Sequence, residues 1–415
     1  MSPPSDVLDD LLGADVTRDP HSYLRRLREE DPVHYNPRLD AWVLTRYDDV
    51  CASFRDPRLS SDRVAPFAAK LPAGRREACR PVLDALGRWM VFKDPPEHTR
   101  LRSLVAQAFA PPAIRAREPL VQRLVGELLD DFVRDGGVDL IAGFAAPLSA
   151  LVIAELVGVP AADRELFKRC SDELAVLVFG SVDVEDRYER AAAGQAGLRD
   201  LFAGLIERYR AQPGDNLVSL LVHGDGGGQL DEEDLTAMCV LMLFAGHETT
   251  TNLIANAVVA LVDHPDELAA VRDDPSVAAS AVEEFLRYDG PSKISPRWVI
   301  EDLELRGRHI RAGQRVYPVQ SAANRDPARF PDPDRLDVRR SPNPHVAFGH
   351  GVHSCIGAPL ARLETRIAIG EILRWLPGLR IVERDLPWRP SVLARGMDRL
   401  AVAYDAPSVR AGELV

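Results

Sequence analysis

The chain has 415 residues, 46% of them hydrophobic, and carries a formal net charge of −12. It is long enough to bury a large core, and its acidity argues against nucleic acid partners and anionic membrane surfaces. The N-terminus is acidic where a secretion signal would be basic, and the apolar runs are shorter than a membrane span, so we expect a cytoplasmic protein with no membrane partner.

Predicted elements change in character along the chain. Two short strands, VHYN and AWVLTR, lie within about 30–46, separated by the turn NPRLD. Helices are predicted over most of about 95–290 and again over about 355–376, while short strands and coil are predicted over about 297–320 and 378–405. No repeat, linker or composition shift divides the chain. We therefore predict one α+β domain over 1–415, mainly helical with small β-sheets.

The longest predicted helix begins at LDEEDL, with Asp231 as N-cap, and extends to about Asp263. Its segment AMCVLMLFAG is apolar on every face, which indicates a helix inside the core. The following AGHETTT breaks this pattern, because Gly246 and three threonines disfavour helix and Glu248 places an acid in a buried stretch. We expect the backbone to open at Gly246, beside an acid and an alcohol that suit proton transfer.

The five cysteines are odd in number and widely spaced, and none belongs to a CxxC or CxxCH pattern. This argues against a disulfide framework, a Cys-rich zinc site and covalent c-type haem. Four of them lie in helical or apolar contexts and are interpreted as small buried hydrophobes. The fifth, Cys355, lies in the stretch FGHGVHSCIG and needs a separate explanation.

That stretch places one thiol just before the last long helix. Its three glycines permit positive φ or the close approach of a flat group, and N–H groups at the helix start favour a thiolate. A thiol hydrolase with His350 or His353 as base is one interpretation, and a zinc site that adds His345 to them and to Cys355 is another. Neither explains the glycines or the distant AGHETT, whereas an axial haem thiolate explains both.

These motifs resemble those of the soluble bacterial cytochromes P450, from about Asp19 to the C-terminus. Phe348, Gly351, Cys355 and Gly357 fill the pattern FxxGxxxCxG, and AGHET is similar to the oxygen-activating segment of the family's distal helix. The resemblance implies the cytochrome P450 fold, a single triangular-prism-like domain. It also implies a monooxygenase that uses O₂ and non-covalent haem b.

The resemblance assigns roles to individual residues of this chain. Cys355 would be the metal ligand, and Glu248 and Thr249 the catalytic pair, because an acid and a hydroxyl can deliver protons during oxygen activation. The implied cofactor-binding residues are His98, Arg102, Ala245, Arg297, Phe348, Gly349, His353, Cys355 and Gly357.

The resemblance also implies a structural ionic cluster and a substrate pocket. The cluster would consist of Glu284, Arg287 and Arg340. The pocket is expected to include Leu241, Met242, Ala245, Lys293 and Ile294. Lys293 stands where many relatives have an apolar contact, so an inward ammonium would need a counter-charge such as a substrate carboxylate. A side chain that reaches solvent or a haem propionate is the other interpretation.

No flavin or iron–sulfur segment is evident, so electrons must come from another protein. The resemblance implies a ferredoxin and a ferredoxin reductase using NAD(P)H. The substrate would be a hydrophobic small molecule that is hydroxylated or epoxidised in bacterial specialised metabolism. A peroxide-driven haem-thiolate enzyme and a non-catalytic haem-binding or sensing protein are the alternatives.

Overall fold

Helices make up most of the computed structural model, which describes residues 9–178, 186–224, 230–383 and 385–405. The helices are α1 Ala14–Arg18, α2 Pro20–Glu30, α3 Tyr47–Ser53, α4 Val64–Lys70, α5 Ala73–Gly87, α6 Glu97–Ala106, α7 Pro111–Arg115, α8 Glu118–Arg134, α9 Ala146–Val157, α10 Arg164–Val178, α11 Arg187–Ala211, α12 Leu217–His223, α13 Glu232–Val262, α14 Pro265–Asp273, α15 Ala278–Asp289, α16 Gln320–Ala323 and α17 Ala358–Trp375. Within the described ranges, none of these helices is long and apolar enough to cross a membrane.

The strands are short and belong to three sheets. They are β1 Val33–Asn36, β2 Ala41–Leu44, β3 Leu59–Ser60, β4 Arg297–Val299, β5 Leu303–Leu305, β6 Arg308–Ile310, β7 Arg315–Pro318, β8 Arg380–Ile381 and β9 Val402–Ala403. The largest sheet has the order β1-β2-β7-β4-β3, with β7 parallel to β2 and the other pairs antiparallel. β5 pairs with β6, and β8 pairs with β9. The predicted α+β class with small sheets is confirmed.

One strand prediction is confirmed by a local hairpin, and another is resolved by partners distant in sequence. β1 and β2 form the predicted hairpin, with Tyr35 opposite Trp42. In the segment from 303 to 318, β5 and β6 form a hairpin, but β7 joins β2 and β4 instead. This arrangement places Arg297, at the start of β4, opposite Val316 of β7 and so fixes its position at the sheet.

The long helix α13 crosses the core without interruption, so the expected opening at Gly246 is wrong. Asp231 is its N-cap, as predicted, and accepts a hydrogen bond from the backbone N–H of Asp234 at 2.7 Å. A Cβ added at Gly246 would lie 2.8 Å from the side chain of Ile153 on α9. The glycine therefore permits close packing of α9 on α13, and this packing outweighs its low helix propensity.

The largest cluster of buried apolar side chains among the described residues extends from Cys79 to Val402, and two smaller clusters pack around the strands of the first two sheets. We propose that the described residues form one domain, because most of their buried apolar side chains belong to the first of these clusters. The ends of the predicted domain, residues 1–8 and 406–415, lie outside the described residues.

Candidate active site

A cavity of about 370 Å³ lies between α13 and the loop that carries Cys355. Its wall includes most of the residues predicted to bind cofactor or substrate, although they are widely separated in sequence. Those present are His98, Arg102, Leu241, Met242, Ala245, Thr249, Ile294, Arg297, Phe348, Gly349, His353, Cys355 and Gly357. Lys293 and Glu248 are not part of this wall.

The loop before α17 holds the thiol of Cys355 toward the cavity. Gly349 and Gly351 have φ values of 71° and 76°, which side-chain-bearing residues rarely adopt. A Cβ at Gly351 would also lie 2.9 Å from the carbonyl oxygen of Phe54. The backbone N–H of Cys355 donates to the carbonyl oxygen of Phe348 at 2.8 Å. The glycines are therefore needed for the shape of the loop that presents the sulfur.

Burial raises the pKa of the Cys355 thiol. Backbone N–H groups of Gly357 and Ala358 and the charge of Arg102 act in the opposite direction, as expected for a sulfur at a helix start, but they do not overcome burial. The helix start therefore favours the thiolate, as predicted, but burial has the larger effect on the pKa of this thiol. A cation bound to the sulfur would supply the missing stabilisation, because coordination deprotonates a thiol.

Two histidines on the cavity wall have buried ring nitrogens without partners. These atoms are Nδ1 of His98 and Nε2 of His353, and the centroids of the two rings are 3.9 Å apart. Burial lowers the pKa of both, to about 3 for His353, so both rings are neutral near pH 7. Each ring thus offers an unused hydrogen-bonding nitrogen to a ligand.

Two arginines on the same wall also lack acidic partners. Arg297 donates to the carbonyl oxygens of Ser295 and Pro296, at 3.4 and 3.0 Å, and burial lowers its pKa to about 10. Burial also lowers the pKa of Arg102. Among the described residues no carboxylate forms an ion pair with either side chain. Both guanidiniums are thus available to an anion that enters the cavity.

These donors and the thiol fit haem b. Its iron can accept the sulfur of Cys355, and its two propionates can accept hydrogen bonds from the histidines and arginines.

One further acid on the wall, Glu364, is 1% exposed, and its Oε2 has no partner. Burial raises the pKa of Glu364 well above its usual value, which favours the neutral form of its side chain. Sequence analysis did not identify Glu364.

The predicted catalytic pair points into two different cavities. Thr249 lies on the Cys355 side, and its hydroxyl donates to the carbonyl oxygen of Ala245 at 3.1 Å. Glu248 instead lines a second cavity of about 450 Å³, where Arg389 donates to its Oε1 at 2.8 Å. Burial raises the pKa of Glu248, and the charge of Arg389 opposes that effect. Sequence analysis did not identify Arg389, which lies in an irregular segment near the C-terminus with no motif around it.

Lys293 is turned away from the Cys355 cavity, contrary to its predicted place in the substrate pocket. Its ammonium donates to the carbonyl oxygen of Ser391 at 2.5 Å, and the residue is 7% exposed. Burial, followed by the nearby charge of Arg395, lowers the pKa of Lys293 to about 8. The alternative that its side chain reaches solvent is also wrong, because the ammonium is held inside the protein.

Glu284, Arg287 and Arg340 form the ionic cluster implied by the resemblance. Arg287 donates to both carboxylate oxygens of Glu284, at 2.7 and 2.8 Å, and both side chains are fully buried. Arg340 donates to Oε1 of Glu284 at 3.2 Å. Asn343 and the backbone N–H of Asp337 complete the shell around Glu284, at 3.0 and 2.9 Å. Further bonds from Arg287 to backbone carbonyl oxygens tie α15 to the following coil.

The zinc interpretation does not fit the geometry. His345 Nε2 lies 3.0 Å from Oε2 of Glu283, away from the cysteine sulfur. Nowhere in the described part of the chain do three or more histidine, cysteine or acidic side chains form a group that could hold a metal ion. The cavity contacts of Cys355 and His353 match the haem interpretation instead.

Comparisons with known proteins agree with this site. The family model described as Cytochrome P450 matches residues 207–376. Cytochrome P450 107B1 of Saccharopolyspora erythraea is 41% identical over 405 residues, which cover 95% of this chain and 97% of the relative. The vitamin D(3) 25-hydroxylase of Pseudonocardia autotrophica is 42% identical over 400 residues, covering 95% and 96%.

Among solved structures, P450BioI in complex with hexadec-9Z-enoic acid ligated acyl carrier protein is similar to this chain with a TM-score of 0.88 and 34% identity. That match covers 94% of this chain and all of the P450BioI chain, at 100%. The predicted fold, the haem b cofactor and the monooxygenase class are thereby confirmed. The chain belongs to the cytochrome P450 family.

Proposed function

We propose that this monooxygenase hydroxylates or epoxidises a hydrophobic organic substrate in bacterial specialised metabolism. The observation that carries the proposal is that the sulfur of Cys355 and the hydroxyl of Thr249 face one cavity with a largely apolar wall. Haem b, when bound by Cys355, supplies the activation of dioxygen. The chain itself binds and orients the substrate, limits water and moves protons.

Apolar side chains on the wall support a hydrophobic substrate. They include Trp89, Phe92, Ile153, Leu241, Met242 and Ile294. Val178, at the end of α10, also lines the cavity, and residues 179–185 lie outside the described ranges. Two similar proteins are named for a vitamin D(3) hydroxylation and for a complex with a fatty acyl carrier protein. These names share a large hydrophobic ligand, and we extend only that class to this chain.

Glu248 and Thr249 are proposed to move protons across α13. The wall of the second cavity includes three polar side chains, those of Lys168, Asp172 and His247. A proton would reach the carboxylate of Glu248 from this side and pass to the hydroxyl of Thr249 on the other. Two bonds must change for this transfer, the ion pair from Arg389 to Glu248 and the hydrogen bond from Thr249 to the Ala245 carbonyl oxygen.

Electrons are proposed to come from a ferredoxin and its NAD(P)H-dependent reductase in the cytoplasm. The Cys355 loop reaches the surface at Val352, which is 52% exposed. Arg362 lies next to this loop, 4.6 Å above the Phe348 ring, and is 42% exposed. Arg362 is paired with Glu283, and the exposed part of its guanidinium can also contact an acidic partner. The free thiols of all five cysteines suit a reducing compartment.

The position of Glu248 also favours a second candidate, a peroxide-driven enzyme. Its carboxylate is held by Arg389 outside the Cys355 cavity, and oxidation by peroxide would not require this proton route. Turnover with ferredoxin, reductase and NAD(P)H should therefore be compared with turnover by hydrogen peroxide alone. Product that depends on peroxide and not on the electron donors would replace the first candidate by the second.

The proton route is tested by Thr249→Ala. We expect electron-donor consumption to continue while product falls by about 100-fold or more and hydrogen peroxide accumulates, because general acid catalysis contributes on this scale. Thr236→Val, a buried threonine in the first turns of α13, is the matched control and should leave the ratio of product to donor unchanged. Tightly coupled turnover in Thr249→Ala would remove Thr249 from the route.

A further inference from the structure

A third guanidinium, that of Arg63, lines the Cys355 cavity. Arg63 lies directly before α4, and its Cζ is 4.7 Å from the centroid of the Phe92 ring. Burial lowers the pKa of Arg63 to about 10, so the side chain is still charged at neutral pH. Within the described part of the chain it makes no hydrogen bond and no ion pair. No motif in the sequence marks this residue.

The backbone before Arg63 is tied to the start of α6. Asp94 accepts hydrogen bonds from the Ser60 hydroxyl and from the backbone N–H of Ser61, the latter at 2.8 Å. The carbonyl oxygen of Asp94 in turn accepts the backbone N–H of His98 at 3.0 Å. Because His98 lines the same cavity, these bonds fix the position of the backbone at Arg63 relative to the cofactor-binding wall.

No acidic side chain among the described residues is paired with Arg63. Arg63 and Arg297 lie close enough for their charges to oppose each other, which adds to the effect of burial on the pKa of Arg297. The nearby acid Asp94 acts on Arg297, but its oxygens already accept the two serine hydrogen bonds. Two partly buried guanidiniums of like charge are costly unless an anion joins them.

We propose that Arg63, together with Arg297, binds a carboxylate inside the cavity. The carboxylate belongs either to a haem propionate, as a contact beyond those assigned above, or to the substrate itself. The planar fork of a guanidinium matches a carboxylate, and the Phe92 ring beneath Arg63 leaves its N–H edges free to donate. This inference rests on the haem-binding cavity and not on which substrate is oxidised.

The propionate source is tested by haem retention in Arg63→Gln. Transfer of haem from the holoprotein to excess apomyoglobin, followed by absorption, should accelerate by about 10- to 100-fold if Arg63 holds a propionate, since charge-assisted hydrogen bonds are of this strength. Arg63→Lys keeps the charge and should restore much of the retention. Arg311→Gln, which removes an exposed arginine from the β6–β7 turn, is the matched control.

The substrate source is tested with ligands that coordinate haem iron through one end. ω-Imidazolyl fatty acids of increasing chain length and the corresponding ω-imidazolyl alcohols would be titrated by the shift of the haem absorption band. If Arg63 binds a substrate carboxylate, the acids bind more tightly than the alcohols at one range of lengths. Arg63→Gln should then weaken the acids by about 10- to 100-fold and leave the alcohols unchanged.

Either positive result supports the carboxylate site and identifies its source. The proposal is overturned if Arg63→Gln matches Arg311→Gln in both haem transfer and acid binding. It is equally overturned if haem transfer is unchanged and acids and alcohols weaken together, because that result indicates lost packing and not lost charge. Both readouts are optical and need no turnover, so failure of the proposed hydroxylation would be seen separately.

Discussion

Two groups of buried charges in this protein differ in whether their charges have partners. Around Glu284 every charge has a partner, since the carboxylate accepts from Arg287, Arg340, an amide side chain and a backbone N–H. On the wall of the Cys355 cavity, Arg63, Arg102 and Arg297 have no carboxylate partner among the described residues. The paired group holds the chain together, whereas the unpaired group retains its donors for a ligand.

The difference indicates how function can be separated from stability in a buried charge. Removal of one member of a paired group leaves another buried charge without a partner, so the free energy of unfolding falls. Removal of one member of the unpaired group leaves no protein charge without a partner. The bound ligand is instead held less tightly. Substitutions in the two groups should therefore give opposite patterns of stability and haem retention.

The largest effect is expected for Glu284→Gln, which breaks the paired group. It should lower the free energy of unfolding by about 3–5 kcal/mol, because Arg287 is left as a buried cation without its counter-charge. Denaturant unfolding of the holoprotein measures this effect. Glu127→Gln removes an exposed partner of Arg123 and should change stability by less than about 1 kcal/mol. A similar small loss for Glu284→Gln would contradict the assigned structural role.

A different outcome is expected for Arg297→Met on the unpaired wall. Haem transfer to apomyoglobin should accelerate by about 10- to 100-fold, because a donor to a propionate is lost. The free energy of unfolding measured without haem should not fall, since no acid is paired with Arg297 in the described structure. If unfolding without haem became easier while haem transfer stayed unchanged, Arg297 would belong with the paired group.

Lys293→Met tests a buried cation that belongs neither to the paired charges around Glu284 nor to the unpaired arginines of the Cys355 cavity. Burial places the pKa of Lys293 at about 8 in the folded protein, below the ordinary lysine value of 10.5. Burying the charged form of Lys293 therefore lowers the free energy of unfolding. This loss is complete below about pH 8 and becomes smaller as the pH rises toward 10.5. The variant removes this loss of stability but also removes the hydrogen bond to the Ser391 carbonyl oxygen. The net effect should be an increase of about 1–2 kcal/mol in the free energy of unfolding at pH 7.

The pH dependence of this variant has a definite sign. Its advantage over the parent protein should shrink between pH 8 and 10.5, the interval in which the unfolded parent binds more protons than the folded one. Unfolding curves at pH 7 and 10 measure the trend, and ligand binding should be unaffected. Weakened binding of a carboxylate ligand would instead restore the prediction that Lys293 belongs to the substrate pocket.

Sequence patterns identified the parts of the site that depend on local geometry. The glycines around Cys355 and the spacing of Glu284 and Arg287 on one helix are set by nearest neighbours along the chain. The cap at Asp231 belongs to the same kind of feature. Such residues are recognisable in the amino-acid sequence alone, and the cofactor followed from Cys355 once the family resemblance was recognised.

Features that depend on distant contacts were predicted less well. Gly246 has the low helix propensity of a helix breaker, but its role is set by Ile153, a residue far away in the chain. The direction of Glu248 is set by Arg389, which belongs to a segment without regular pattern. Arg63 resembles an ordinary surface arginine until the cavity beside it is known. Packing partners of this kind leave no signal at the residue itself.

The central claim is that the sulfur of Cys355 is the axial ligand of haem iron. The most direct test is the absorption spectrum of the reduced, carbon monoxide-treated protein, compared with that of Cys355→His at matched haem content. We expect the long-wavelength band of a thiolate-ligated haem in the parent protein and its replacement by a shorter-wavelength band in the variant. Identical spectra for the two proteins would contradict ligation by Cys355.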